Sequence, residues 1–468
     1  MTAGWPVLQD AAPVDPTSLR PLETVAATTP AELDEAAKAA AGGQRGDWPV
    51  DAKRRQAVLW RWANLLGEHA DELALALVRE SGKPVREART EVAGAVEALR
   101  YNAGLARWMG GRAGTLPDGS QAHLVREPVG VTAFIVPWNW PVLLLFRDLA
   151  PALAAGVTAV VKPAPQTTLV TRRVIEIGRA AGADADVVQL VVGDAAVGEA
   201  LVTHPEVRAV AFTGSTAVGA AIRRAAAGDM TRALLELGGK ASMVVFADAD
   251  VERAAEAAAR ASVITTGQMC MACTRLLVQR PAVERAKDRV VDVLRSLRVG
   301  DPGSESTDAG PLISASAADR FVGFADQARR EGTLLTGGER AAADGLPGHF
   351  VTPAAATGVP VVSPLVQEDL FGPLLLIEPF GGEPDAVAAA NATPYGLAAS
   401  VWTADGSRAW RVARALRAGT VWVNGYNRSY PEMPSGGYGS SGIGRTRGVE
   451  GLEQFTELKH VHFDVEER

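Results

Sequence analysis

The chain opens on helical periodicity and turns, from about residue 131, to short apolar runs punctuated by helices. Pro30-Ala-Glu-Leu-Asp opens one helix. Residues 51–81 keep a 3.6-residue apolar period through Leu59, Trp62, Leu65, Leu66 and Leu73, and the run stops at Gly82. Residues 86–108 predict another helix. Then β-rich runs at 131–137, 157–163, 187–192 and 207–215 alternate with helical stretches near 141–154, near 168–182, a short one, and one to about 226. Strands apolar throughout, set between helices, predict a parallel sheet covered on both faces. A second α/β series begins near Ala241, with strands around 242–246, 275–279, 374–379, 398–402 and 420–423. Two segments, near 121–130 and 457–464, alternate apolar and polar residues and fit neither series; they predict an edge sheet or an oligomer arm.

At 468 residues, two or three domains are expected. A net charge of −7, without long runs of either sign, offers no electrostatic footprint for nucleic acid or an anionic membrane. The longest apolar stretches are interrupted by Arg147 and Asp148, so no membrane span is predicted, and the first residues carry no secretory pattern. Two cysteines are too few for a disulfide framework, which favours a reducing, cytoplasmic setting. The histidines offer no metal spacing, and no metal is expected.

Four constellations carry candidate chemistry. Phe212 to Gly219, at a strand-to-helix turn, reads either as a phosphate cradle at a helix N-terminus or as a plain tight turn. Lys162-Pro163, ending an apolar strand of the same sheet, reads as a ribose ligand or an ordinary solvated lysine. Glu236, ahead of paired glycines, reads as a general base or as a cap or salt-bridge partner. Cys270, in Gly-Gln-Met-Cys-Met-Ala-Cys, reads as a nucleophile, a buried apolar cysteine, or half of a redox or metal pair with Cys273.

Together these pieces resemble the aldehyde dehydrogenase superfamily from about residue 20 to about 464. The resemblance is carried by PWNWP (137–141), KPAPQT (162–167), FTGST (212–216), LELGGK (235–240), GQMCMACTR (267–275), EDLFGP (368–373), NATPYGLAASVW (391–402), VWVN (421–424) and PSGGYGSSGIGR (434–445). It implies two Rossmann-like parallel α/β domains plus a small β oligomerisation arm. Residues 1–118 and 132–238 would form the dinucleotide-binding domain, 239–435 the catalytic domain, and 119–131 with 436–468 the arm. It further implies oxidation of a small-molecule aldehyde to an acid with NAD or NADP, in a homodimer or homotetramer. By that resemblance Cys270 attacks the carbonyl, Asn139 and the Cys270 backbone amide hold the oxyanion, and Glu236 activates water. Lys162 is implied at the adenosine ribose, Ser215 at the pyrophosphate, Asp369 with Phe371 at the nicotinamide ribose, and Trp138 beside the nicotinamide. Pro137, Gly198, Gly214 and Leu237 complete the expected cofactor set.

Several positions depart from the family pattern. Pro165 stands where many members carry a glutamate for the adenosine 2′-hydroxyl, which opens the door to NADP. Asp369 replaces the usual glutamate, and Ser435 the usual phenylalanine. Cys273 replaces a small residue and is a candidate for a reversible disulfide with Cys270. Arg147 aligns with a substrate-tunnel position, and like succinic semialdehyde dehydrogenases the chain has a serine at Ser429. With Arg428 adjacent, these residues point to an aldehyde carrying a carboxylate or other acceptor; the alternative reading of Arg147 is that it pairs with a neighbouring acid and lines nothing. CoA-acylating relatives generally lack the glutamate, so Glu236 argues against that alternative. Retention of Asn139, Glu236 and Cys270 together argues against a catalytically silent homologue.

Overall fold

The computed structural model describes residues 9–464 except 109 and 344, and its strands fall into three sheets. The first runs Gly442–Ile443, Arg232–Glu236, Ala209–Thr213, Thr132–Ile135, Ala159–Lys162, Val188–Leu190. All its pairings are parallel except the short Gly442–Ile443 edge. Alternate residues of its strands feed two apolar layers: Phe134, Val161, Val188 and Ala211 on one face, Ala133, Val160, Val210 and Phe212 on the other. Burial on both faces is why these strands read as continuous apolar runs.

The second sheet runs Thr333–Thr336, Ala354–Thr357, Leu374–Phe380, Cys273–Gln279, Ala241–Val245, Ala398–Trp402, Thr420–Val423. Its first strand is antiparallel and the rest are parallel. The strands at 333–336 and 354–357 carry no apolar run long enough to stand out in the sequence. The outlying segments pair with each other antiparallel, as Gln121–Pro128 on Thr456–Phe463, and Arg112–Thr115 joins them as a third strand. Within 436–468, Gly442–Ile443 pairs with the first sheet rather than with this one.

The predicted single helix over 51–81 is two, Ala52–Glu68 and Ala70–Ser81. His69 leaves helical geometry at φ −98°, ψ 15°, and its ring bonds Glu72 in the next helix's first turn at 2.7 Å. One residue out of register barely disturbs a 3.6-residue period, so the break was invisible to periodicity. Among the described residues no helix is long and apolar enough to cross a membrane.

One buried ion pair ties these N-terminal helices to the first sheet. Glu91 accepts from the backbone N–H groups of Val142 (2.8 Å) and Leu143 (3.2 Å), at the start of the helix Pro141–Ala155. These are orphan donors of a helix N-terminus, where a carboxylate is favoured. Lys83, fully buried beside Glu91, donates to that carboxylate and to the Asn139 carbonyl, and its ammonium lies 4.3 Å from the centre of the Trp140 ring. Removing one partner of such a pair leaves an uncompensated buried charge. Glu91→Ala should therefore lose about 3–5 kcal/mol by denaturant unfolding, whereas the double variant Lys83→Met/Glu91→Leu should recover most of it. Equal loss in both would show that the pair carries no such penalty.

Candidate active site

The carboxyl ends of the first sheet meet the beginnings of strands in the second, and the candidate residues gather at that seam. Glu236 ends the strand Arg232–Glu236, and the chain crosses through Leu237-Gly-Gly-Lys240 into Ala241–Val245. A Cβ on Gly239 would stand 2.6 Å from the Cys270 carbonyl oxygen, so glycine lets the crossing strand pass the cysteine loop. That loop lies between the turn Ile264–Gly267 and the strand Cys273–Gln279. Thr265 (φ 49°), Thr266 (φ 54°) and Gly267 (φ 75°) are all left-handed, which costs a β-branched residue about 1–2 kcal/mol. Glu87 holds the strained turn by accepting from both the N–H and the hydroxyl of Thr265, each at 2.8 Å.

A cavity of about 410 Å³ opens at the seam, walled among others by Asn139, Arg147, Glu236, Cys270, Ser435 and Arg447. Glu236 is buried; Oε1 has no hydrogen-bond partner among the described residues, and Oε2 lies 4.0 Å from Arg147. Burial raises its pKa to about 7, against the opposing charge of Arg147. Burial also pushes the Cys270 thiol up to about 12, again with Arg147 pulling the other way. Asn139 Nδ2 donates to the Gln268 carbonyl at 3.0 Å, which fixes the amide and leaves its second N–H available. The wall therefore holds a thiol, an amide donor and a carboxylate that titrates near neutrality.

The expected cofactor residues lie on the first sheet. Pro137 and Trp138 follow the strand Thr132–Ile135, while Gly214 and Ser215 follow its neighbour Ala209–Thr213. Strand order reverses around Thr132–Ile135, and ligands of open α/β sheets bind beyond such a switch point. Ser215 caps the helix Thr216–Ala227, accepting from Val218 N–H at 3.4 Å. Lys162 is buried, donates only to the Pro163 carbonyl (3.1 Å), and is lowered by burial to about 8. Gly198 lies beside the Lys162 stem, and Leu237 packs against Gly219. Asp369 accepts from Gly239 N–H at 3.3 Å, and burial raises it to about 6. Phe371 meets Trp138 edge-on with ring centres 5.6 Å apart.

Three substrate-side expectations change. Arg147 does line the cavity, but it is bidentate to Asp148 (2.9 and 2.7 Å) and bonds the Thr213 hydroxyl at 2.6 Å. The carboxylate next to it in sequence has taken its charge, so it is not the free cation expected. Arg428 is exposed and absent from the wall, whereas Ser429 and Ser435 belong to it. Ser435 Oγ is 3.0 Å from Thr446 Oγ1. Cys273 starts a core strand with no exposed surface, its thiol pushed by burial to about 12 and 3.7 Å from the Arg275 carbonyl. That environment suits a small apolar residue better than an exchange-competent thiol. Among the described residues no His, Cys, Asp and Glu cluster is placed to hold a metal. Sequence reasoning missed Lys83, Glu91 and Arg447, whose partners or cavity neighbours lie far away along the chain.

The family model described as the aldehyde dehydrogenase family matches residues 8–461. Among solved structures, betaine aldehyde dehydrogenase from Staphylococcus aureus in complex with NAD+ is similar at 34% identity and TM-score 0.94, over 97% of this chain and 91% of that one. An NAD-dependent aldehyde dehydrogenase from Sinorhizobium meliloti matches at the same 34% identity and TM-score 0.94, covering 97% and 91% of the two chains.

The contrast between the two thiols is measurable. Iodoacetamide with peptide mass spectrometry should modify Cys270 at a rate that keeps rising from pH 7 to pH 10, because its thiol titrates above that range. Cys273 should stay unmodified until denaturant is added. Labelling of Cys273 in the folded protein, or a Cys270 rate that levels off near pH 7, would contradict these environments.

Proposed function

Since the chain belongs to the aldehyde dehydrogenase family and is an NAD(P)-dependent oxidoreductase acting on aldehydes, we propose that it forms a thioester on Cys270 and hydrolyses it to the carboxylic acid. The observation that carries this reading is the common cavity of Cys270, Asn139 and Glu236. A thiol pushed to about 12 is protonated at neutral pH, so it needs a base. Glu236, ionised above about pH 7 and lining the same wall, can take that proton directly or through one water. The sulfur then adds to the aldehyde carbon, and the carbonyl oxygen gains negative charge. The free N–H of Asn139, together with the Cys270 backbone amide, offers donors for that oxyanion. Arg147 favours negative charge on both Cys270 and Glu236, acting against the burial that disfavours it. Glu236 passes the thiol proton on to solvent; after oxidation it removes a proton from the water that attacks the thioester, the Cys270 thiolate leaves and takes a proton back, and the acid is released.

The residues present fit a nicotinamide dinucleotide. A buried Lys162 ammonium with a single acceptor has donors left for ribose hydroxyls, and the Gly214-Ser215 turn opens a helix of the required parallel sheet. Pro137, Trp138, Gly198, Leu237, Asp369 and Phe371 would complete its pocket. The nicotinamide supplies the hydride acceptor when bound. Pro165 opens the turn Pro165–Thr167 where a carboxylate would repel a 2′-phosphate, so we propose that both NAD and NADP are accepted. The guanidinium and hydroxyl donors of Arg447, Ser429 and Ser435 on an otherwise largely apolar wall favour an aldehyde carrying a carboxylate or other acceptor. Exposed Val125, Leu458 and Phe463 on the three-stranded sheet favour its burial in a homodimer or homotetramer. The free cysteines suit the cytoplasm. In domain terms, 1–118 with 132–238 would bind the dinucleotide, 239–435 would carry catalysis, and 119–131 with 436–468 the oligomer contact.

Turnover followed by absorbance of the reduced nicotinamide tests the mechanism. Asn139→Ala should lower kcat by about 10²–10³-fold. The base works ionised, so activity should rise with pH through about 7. Glu236→Gln should lose about 10²–10⁴-fold and the rising limb with it. A Cys270→Ser variant as fast as the parent would end the proposal.

A further inference from the structure

The same cavity holds a second guanidinium that no expected function uses. Arg447 lines the wall, and among the described residues its side chain has no hydrogen bond and no salt bridge. The other arginines nearby are occupied: Arg147 by Asp148 and Thr213, and Arg445 by the carbonyls of Gly437 (3.4 Å) and Gly444 (2.6 Å). Two acids on the wall, Glu97 and Glu432, are exposed. Glu97 pairs with Arg100 at 3.1 Å, and neither acid pairs with Arg447. The backbone at Arg447 has a positive φ, 64°, with ψ 174°, a region otherwise reserved for glycine that a side-chain-bearing residue adopts at a cost. Such outliers persist only where the surrounding structure over-determines them, and this one sits on the cavity wall.

Arg447 faces the substrate's side rather than the dinucleotide's. Trp138, Lys162, Ser215, Asp369 and Phe371 are all absent from this wall, whereas Ser429, Tyr430 and Ser435 share it. Burial lowers the Arg447 pKa to about 10, with the like charge of Arg147 adding to the effect and the carboxylates of Asp148 and Glu236 only partly offsetting it, so the cation gains from an anion brought beside it.

We propose that Arg447 is the receptor for a carboxylate at the far end of the aldehyde substrate, with Ser429 as a neighbouring hydroxyl donor. This rests on the dehydrogenase reading above and narrows its substrate class to ω-oxo carboxylates. Guanidinium suits the task because its fork matches a carboxylate in a bidentate arrangement. Arg147 acts instead as a positioning residue for Glu236, because its charge is already shared with Asp148.

The experiment compares ω-oxo carboxylates of four to six carbons with n-alkanals of the same length, in the parent and in Arg447→Asn. Arg447→Asn removes the guanidinium and keeps a polar side chain, and Arg447→Gly serves as a second variant that relieves the backbone strain entirely. Any influence of Arg447 on Glu236 enters both substrate series and cancels in the ratio of their kcat/KM values. The parent should favour the carboxylates, and both variants should lower that ratio by about 100-fold, mainly through KM. A parent without preference, or a preference that survives both substitutions, overturns the assignment. Should the parent oxidise no aldehyde, the dehydrogenase reading itself has failed. Calorimetry with glutarate then decides the receptor alone: binding to the parent and not to Arg447→Asn supports it, and no binding to either refutes it.

Discussion

Arg147 brings one buried positive charge to a place where a carboxylate and a thiol would otherwise be stranded without a counter-ion. Its bidentate bond to Asp148 anchors it to its own helix, the bond to Thr213 ties that helix to the sheet, and its third nitrogen stands 4.0 Å from Glu236. In a setting of low dielectric, charge at this distance is felt strongly. It tempers the burial that would drive Glu236 and Cys270 further toward their neutral forms. The outcome is a carboxylate balanced near neutrality and a thiol left to be activated.

A second buried cation supports the same helix from the other side. Lys83 and Glu91 come from the N-terminal helical region, far from the chemistry in sequence. Glu91 occupies the start of Pro141–Ala155, while Lys83 holds the Asn139 carbonyl. The amide on Asn139 is fixed in turn by Gln268, which belongs to the loop that carries Cys270. Asn139 and the Cys270 loop are thus coupled through a hydrogen bond rather than through a shared element, and Glu87 holds the strained turn at Thr265–Thr266 that leads into that loop. Rigid support of this kind preorganises donors for a developing charge.

Distribution of the arginines divides labour within one cavity. A cation that already owns a carboxylate can tune its neighbours but has little left for a ligand, whereas a cation without one remains costly until a ligand arrives. Arg147 and Arg447 line the same wall and differ in this respect. Residue type and proximity to the active-site motifs favoured Arg147 as the ligand, and side-chain partners reversed that reading.

Local pattern was enough for the parallel sheets, because strands buried on both faces announce themselves as apolar runs between helices. It was enough to single out Cys270, Glu236 and Asn139, which sit in compact motifs at strand or helix ends and which the fold brings to one cavity. It could not reveal the break at His69, which hardly alters the period, nor the strands at 333–336 and 354–357, which are only four residues long each. Charge partnership lay beyond it altogether. Whether Arg147, Arg428 or Arg447 meets a substrate depends on which of them finds a carboxylate, a hydroxyl or open water after packing. Those partners are brought together from distant stretches of chain, so only the tertiary structure decides it.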